Sequence, residues 1–270
     1  MTEETGPGQP ERGRRFRRGA AILPALFTTG NLFLGFWSII QTLDGRYGDS
    51  AHFGYAALLI GGAAILDMLD GRIARLTGTQ SEFGAQLDSL ADAVSFGVAP
   101  ALLAYVWALS AVPRAGWPAA FLFLVCGVMR LARFNVQRQI SDARFFVGLA
   151  IPAGAVQIAV IVFAFPDPPG ERWQQVGLLA LVVALAFLMV STFRYRSFKG
   201  IDLRRRRSYM TVLGIALLFF LIKIHPEATL LAMASVYTAS GPLGWALGAL
   251  RRRRDAPPAP LPVQAVPPVS

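Results

Sequence analysis

The chain has 270 residues, 54% of them apolar and only 16% charged, with a mean hydropathy of +0.48. That balance excludes an ordinary soluble domain and fits several membrane-spanning helices joined by short loops. The formal charge of +10 could suit nucleic acid, but the basic residues sit between apolar runs, so loops facing anionic lipid are expected and a nucleic-acid partner is not.

In chain order, residues 1–20 carry RGRRFRR ahead of an apolar run from Ala20 to Leu43. That run is too long for the core of a signal peptide and has no A-x-A site after it, so it reads as a retained first span. Arg14 and Arg15 fit a twin-arginine signal poorly. Further spans are expected near 51–76, 83–111, 117–138, 146–165, 173–193, 208–223 and 228–250, each close to the roughly 20 residues that cross a bilayer core. The seventh of the eight is the shortest. Cys126, the single cysteine, lies in FLFLVCGVM and reads as a small buried hydrophobe. The proline- and alanine-rich tail, 255–270, cannot bury a core and is expected to be disordered.

Positive charge orients this layout. With both termini on the cytoplasmic side, 22 of the 26 Lys and Arg fall on inside segments and four (Arg46, Arg114, Arg172 and Lys223) on outside ones. Losing one whole span would invert every later loop and destroy that asymmetry. Arg204–Arg207 and Arg251–Arg254 read as juxtamembrane anchors. His52 and His225 fall near outer ends of spans and are assigned no chemistry.

The informative stretch is LDMLDGRIARLTGTQSEFGAQLDSLAD, residues 66–92, with four aspartates where apolar residues are expected. Asp67 and Asp70 are three apart, and Asp88 and Asp92 four apart, so each pair shares one face of a helix. A turn near Thr77–Ser81 makes the two helices antiparallel neighbours and lets the acidic faces converge. Asp67 lies ten residues before that turn, roughly 15 Å along a helix and too deep for a solvated loop. A carboxylate in the bilayer centre costs roughly 2.5–3.5 kcal/mol, and divalent cations are the natural offset. Four hard oxygen ligands without His or Cys favour Mg²⁺ or Mn²⁺ over zinc, and four carboxylates can hold two such ions. Gly71 and Gly84 open room, Ala74 keeps the same face clear, and Arg75 offers a forked donor. Together they describe a pocket for a metal-bound pyrophosphate.

The pattern D67-x2-D70-G71-x2-A74-R75-x8-G84-x3-D88-x3-D92 resembles the signature of the CDP-alcohol phosphotransferase family at all eight positions. The resemblance implies an all-α, polytopic membrane bundle, usually a homodimer, with six core transmembrane helices in residues 21–200. Two additional helices in 201–250, a basic cytoplasmic segment in 1–20 and the cytoplasmic tail 251–270 complete the expected organisation. It implies a site open to the cytoplasm, multi-pass insertion in the cell's inner membrane, and transfer of a phosphatidyl or similar group from a CDP-linked donor to an alcohol with release of CMP. Carried over by position, Asp67, Asp70, Asp88 and Asp92 would bind metal, with Asp92 also the base. Asn31, Asp70, Gly71, Ala74, Arg75 and Gly84 would lie against the CDP moiety.

LPALFTTGNLFLGF (23–36), SFGVAPALL (95–103), RLARFN (130–135), FFVGLAIPAGA (145–155) and MVSTFRYRSFKG (189–200) resemble integral-membrane bacterial members that use CDP-diacylglycerol and L-serine. Ala150 is a departure, since proline is common there. For a zwitterionic acceptor, Arg130 or Arg133 can take the carboxylate and the Asn135 carbonyl the ammonium, with Arg194 and Lys199 as further cations. Arg130, Arg133 and Arg194 would equally suit a phosphorylated acceptor, so glycerol 3-phosphate, inositol phosphate or choline stay open. A divalent-cation transporter is the reading from another class. Against it, the acids cluster at one end, and the interiors of the later spans contain none to continue a path.

Overall fold

The computed structural model describes the backbone of residues 11–77, 81–138, 146–195 and 208–254. The tail 255–270 lies outside the described residues. Each expected apolar stretch holds a helix, and the third holds two: α1 (Glu11–Tyr47), α2 (Ala51–Thr77), α3 (Glu82–Asp92), α4 (Ala99–Trp107), α5 (Gly116–Arg138), α6 (Ile151–Ala164), α7 (Arg172–Val190), α8 (Ser208–Ile224) and α9 (Pro226–Arg254). Among the described residues, the stretches 51–73, 82–107, 116–136 and 172–190 are long and apolar enough to cross a membrane, and α6 is a shorter apolar helix.

Two stretches differ from the sequence reading. The span expected at 83–111 is not one regular helix: α3 passes into a π-helical turn, Ala93–Val98, before α4, and a short 3-10 turn, Leu109–Ala111, follows. The span expected from 146 starts at Ile151 instead. Phe146–Val147 (β1) pairs antiparallel with Arg194–Tyr195 (β2), Phe146 opposite Tyr195. Gly148 then turns the chain at φ +84°, and Pro152 sits in the first turn of α6, where a missing N–H costs nothing.

The helices pack around Phe53, Ile60, Phe96, Leu103, Phe123, Ile158, Leu185 and Met189, all fully buried. Small residues let α1 and α2 approach: Gly30 faces Leu66, Gly62 faces Leu34, and Ser38 Oγ donates to the Ala56 carbonyl at 2.9 Å. Such contacts replace the hydrophobic drive that lipid cannot supply. The helix ends away from the aspartates are tied by Trp107 Nε1 donating to the Pro166 carbonyl at 3.0 Å and Ser50 Oγ to Asp167 Oδ1 at 2.6 Å. Outward-facing positions are apolar too, among them Phe33, Trp37, Ile65, Phe121, Phe187 and Phe219. A surface so apolar in a bundle with every long helix self-satisfied is what hydrocarbon requires. The chain is therefore a multi-pass helical membrane protein. α8 is exposed along most of its described length and leans on α9.

Candidate active site

The site lies where α1, α2, α3 and α5 meet. α2 places Asp67 and Asp70 on one face. α3 starts at Ser81, whose Oγ accepts from the Gly84 N–H at 3.0 Å as an N-cap, and carries Asp88 and Asp92 inward. One carboxylate oxygen from each of Asp67, Asp70 and Asp88 lies within 4.8 Å of the others. Three like charges at that spacing repel by about 3 kcal/mol per pair even at an effective dielectric near 20. The donor set is all hard oxygen, with room beside it, since among the described residues nothing lies within 4 Å of where a Gly71 side chain would begin. These residues fit a divalent cation with oxygen preference.

Asp92 stands apart from the triad. It is buried on the next turn of α3, and its Oδ1 accepts from Asn31 Nδ2 at 3.2 Å. It still acts electrostatically on Asp67 and Asp88. The sequence spacing groups the acids as two pairs, whereas the fold groups them as three and one. Asn31 is fully buried, and its Oδ1 has no hydrogen-bond partner among the described residues.

α1 supplies two groups that sequence reasoning missed or placed only by resemblance. Thr28 Oγ1 donates to Asp70 Oδ2 at 3.0 Å, and Thr28 and Asn31 share a face by their spacing of three. Ser95, in the π turn, donates its Oγ to the Asn31 carbonyl at 3.0 Å. That crossing is possible because residue 35 is glycine: a Cβ there would stand 2.7 Å from the Ser95 Cα.

Of the expected acceptor residues, Arg130 is half-buried, its guanidinium 5.7 Å from the Phe134 ring centroid and acting electrostatically on Asp67 and Asp92. Arg133 is exposed. Asn135 Nδ2 donates to Ser89 Oγ at 2.8 Å, tying α5 to the acidic helix. The backbone of Arg194 is in β2. Its side chain, those of Ala74 and Arg75, and all of Lys199 lie outside the described residues. Among the described residues, a side chain at Gly84 would meet only Ser81 Oγ within 4 Å.

Known proteins resemble this chain along most of its length. The chain is 36% identical over 229 residues to a CDP-diacylglycerol–serine O-phosphatidyltransferase of Helicobacter pylori, covering 83% of this chain and 91% of that one. It is 42% identical over 187 residues to one of Mycobacterium tuberculosis, 66% of this chain and 62% of that one. With one of Bacillus subtilis it shares 33% identity over 178 residues, 66% of this chain and 91% of the relative. A sequence profile described as CDP-alcohol phosphatidyltransferase matches residues 21–190, which hold α2, α3, the acid triad and Asp92, and on these grounds the chain belongs to that family of transferases.

Proposed function

We infer that this chain transfers a phosphatidyl group from CDP-diacylglycerol to the hydroxyl of L-serine, giving phosphatidylserine and CMP. The observation that carries the reading is the convergence of Asp67, Asp70 and Asp88 in a chain whose relatives bear that enzyme's name. Asp67, Asp70 and Asp88 would hold Mg²⁺ or Mn²⁺, with Asp92 available to a second ion. The ions, when bound, supply charge neutralisation to the donor pyrophosphate and the departing CMP. Gly71 and Gly84 leave backbone exposed to the nucleotide, with Asn31, Ala74 and Arg75 on its perimeter. Asp92, held by Asn31, accepts the serine hydroxyl proton as attack proceeds. Arg130 takes the serine carboxylate. Asn135 spends its amide on Ser89 and so turns its carbonyl to the ammonium. Arg133, Arg194 and Lys199 form a basic approach from the cytoplasm. The protein would sit as a homodimer in the inner membrane, with core 21–200, helices 201–250 and both basic termini inside.

Purified full-length protein with CDP-diacylglycerol, Mn²⁺ or Mg²⁺ and a panel of alcohols tests this. CMP release should require serine, stop with EDTA, and return with either ion. Turnover of glycerol 3-phosphate, inositol phosphate or choline without serine would move the assignment to another acceptor. Metal-driven ion flux without CMP binding would move it to transport. Arg130→Lys should raise the serine KM about tenfold or more with little change for CDP-diacylglycerol, because a point charge cannot replace the fork.

Orientation has its own test. In a Cys126→Ala background, Asp49→Cys and Gly170→Cys should react with an impermeant thiol reagent on intact cells, and Ser81→Cys should not. All three positions lie at helix ends or in loops. Labelling of position 81 from outside reverses the layout.

A further inference from the structure

α1 spans the two parts of the site. Its Thr28 holds Asp70 of the triad at 3.0 Å, and its Asn31 holds Asp92 at 3.2 Å. These two residues are three apart on one face, about 4.5 Å along the helix. Any slip or roll of the acidic helix against α1 therefore moves Asp92 relative to the metal ligands. The Asn31 amide alone is a poor brake on that motion. Its Nδ2 bonds to Asp92, while its Oδ1 has no partner among the described residues, and the outer torsion of an asparagine is soft.

A second contact stands beside the first. Ser95 is fully buried in the π turn that follows Asp92, and its Oγ donates to the Asn31 carbonyl at 3.0 Å. One residue of α1 is thus held through its side chain by residue 92 and through its main chain by residue 95. A serine in an apolar helix has a local alternative, the carbonyl four residues back, which Ser89 takes at Ala85 at 3.0 Å. Ser95 reaches across to another helix instead. Room for the crossing comes from Gly35, one turn beyond Asn31: a Cβ there would stand 2.7 Å from the Ser95 Cα and 2.8 Å from its Cβ. Widened turns of this kind recur at functional sites, and this one lies between the last aspartate and the serine that ties it to α1.

We propose that Ser95 is a positioning residue for Asp92: seated on Gly35, it locks the π turn to α1, and through the doubly held Asn31 it keeps the base at a fixed distance from the metal ligands. This rests on the assignment of Asp92 as the group that takes the acceptor's hydroxyl proton. A base must stay within hydrogen-bond reach of its alcohol, and a displacement of about 1 Å can cost on the order of a hundredfold in rate. Asp67, Asp70 and Asp88 converge on one another, so the ion should be kept when Asp92 is loosened.

The test uses the full chain with Ser95→Ala, Ser95→Cys, Asp92→Asn and the double variant Ser95→Ala with Asp92→Asn. Each is assayed with CDP-diacylglycerol, serine and Mn²⁺, and each rate is taken per folded enzyme from thermal unfolding. Ser95→Ala removes one oxygen and keeps the Cβ beside Gly35. It should lower kcat roughly ten- to a hundredfold. The KM for either substrate and the Mn²⁺ affinity should stay within about twofold, a split that general loosening would not produce. Ser95→Cys, with its weaker donor, should fall between Ser95→Ala and wild type. On Asp92→Asn, Ser95→Ala should reduce the residual transfer by less than about threefold, because the group it positions no longer takes a proton. If Ser95→Ala keeps the wild-type kcat, even with a lowered thermal midpoint, Ser95 only joins two helices; the positioning role is wrong and the Asp92 assignment survives. Losses that multiply in the double variant overturn the role equally. If Asp92→Asn turns over at the wild-type rate, the base assignment itself falls, and the positioning role with it.

Discussion

Asp67→Asn, Asp70→Asn and Asp88→Asn should each abolish transfer and weaken Mn²⁺ binding together, whereas Asp92→Asn should lose transfer while keeping most of the ion. The reason is the division of the acids. Three converge within 4.8 Å, where removing one charged ligand opens the coordination shell. Asp92 instead keeps one oxygen on Asn31, and an amide at that position can still accept the same bond, so the fold around it is undisturbed. What the amide cannot do is take a proton from an alcohol, and loss of a general base is worth roughly 10²–10⁴ in rate. Mn²⁺ titration by electron paramagnetic resonance, beside CMP release, reads both quantities. Wild-type turnover in any triad variant would refute the metal assignment. Asp92→Asn losing Mn²⁺ as completely as Asp67→Asn would erase the distinction between ligand and base.

Gly148→Val should cost more stability than any comparable change far from the aspartates, about 3 kcal/mol or more. Residue 148 sits at φ +84°, a left-handed region that a β-branched side chain does not tolerate. A Cβ there would also run into the Met189 carbonyl and stand 3.0 Å from that of Ser191. The backbone cannot easily retreat, because the Gly148 N–H donates to the Phe193 carbonyl at 2.9 Å and the Leu149 N–H to that of Leu188 at 2.9 Å. These bonds staple the start of α6 to the end of α7 and set the β1–β2 ribbon that carries Arg194. Thermal unfolding in detergent should show a midpoint lower by several degrees, with Gly148→Ala in between. A wild-type midpoint for Gly148→Val would mean that the turn relaxes at no cost.

Much of this was legible in the sequence because hydrocarbon leaves few options. Long apolar runs must be helices, and each of the eight expected runs holds at least one helix, although the fifth opens with the strand β1 and the third is interrupted by the π turn. The convergence of the acids was legible because spacings of three and four put each pair on one helical face, but their division into three and one was not. The partners of the acids were not. Thr28 and Thr29 are adjacent and chemically identical, yet Thr28 reaches Asp70 while Thr29 bonds back to the Ala25 carbonyl at 2.8 Å. Ser and Thr in an apolar helix always have that local alternative, so only the neighbour's position decides. Arg130 and Arg133 likewise look equivalent, since both fit the charge rule behind the expected orientation, but Arg130 is half-buried and Arg133 exposed. The two-residue ribbon could not be foreseen from strands so short and 47 positions apart. AVSFGV, the π turn, carries no composition that separates it from α-helix.

That turn has a consequence for how the acidic face is aimed. In a regular helix the angular phase of every side chain is locked to that of all others, about 100° per residue. A helix obliged to point Phe96 and Leu103 into the apolar centre would have no freedom left for Asp88 and Asp92. Widening one turn works as a phase shifter: the segment before it can face the polar cleft while the segment after it packs into the core. Chemistry and packing are thereby set by separate dials on one continuous rod.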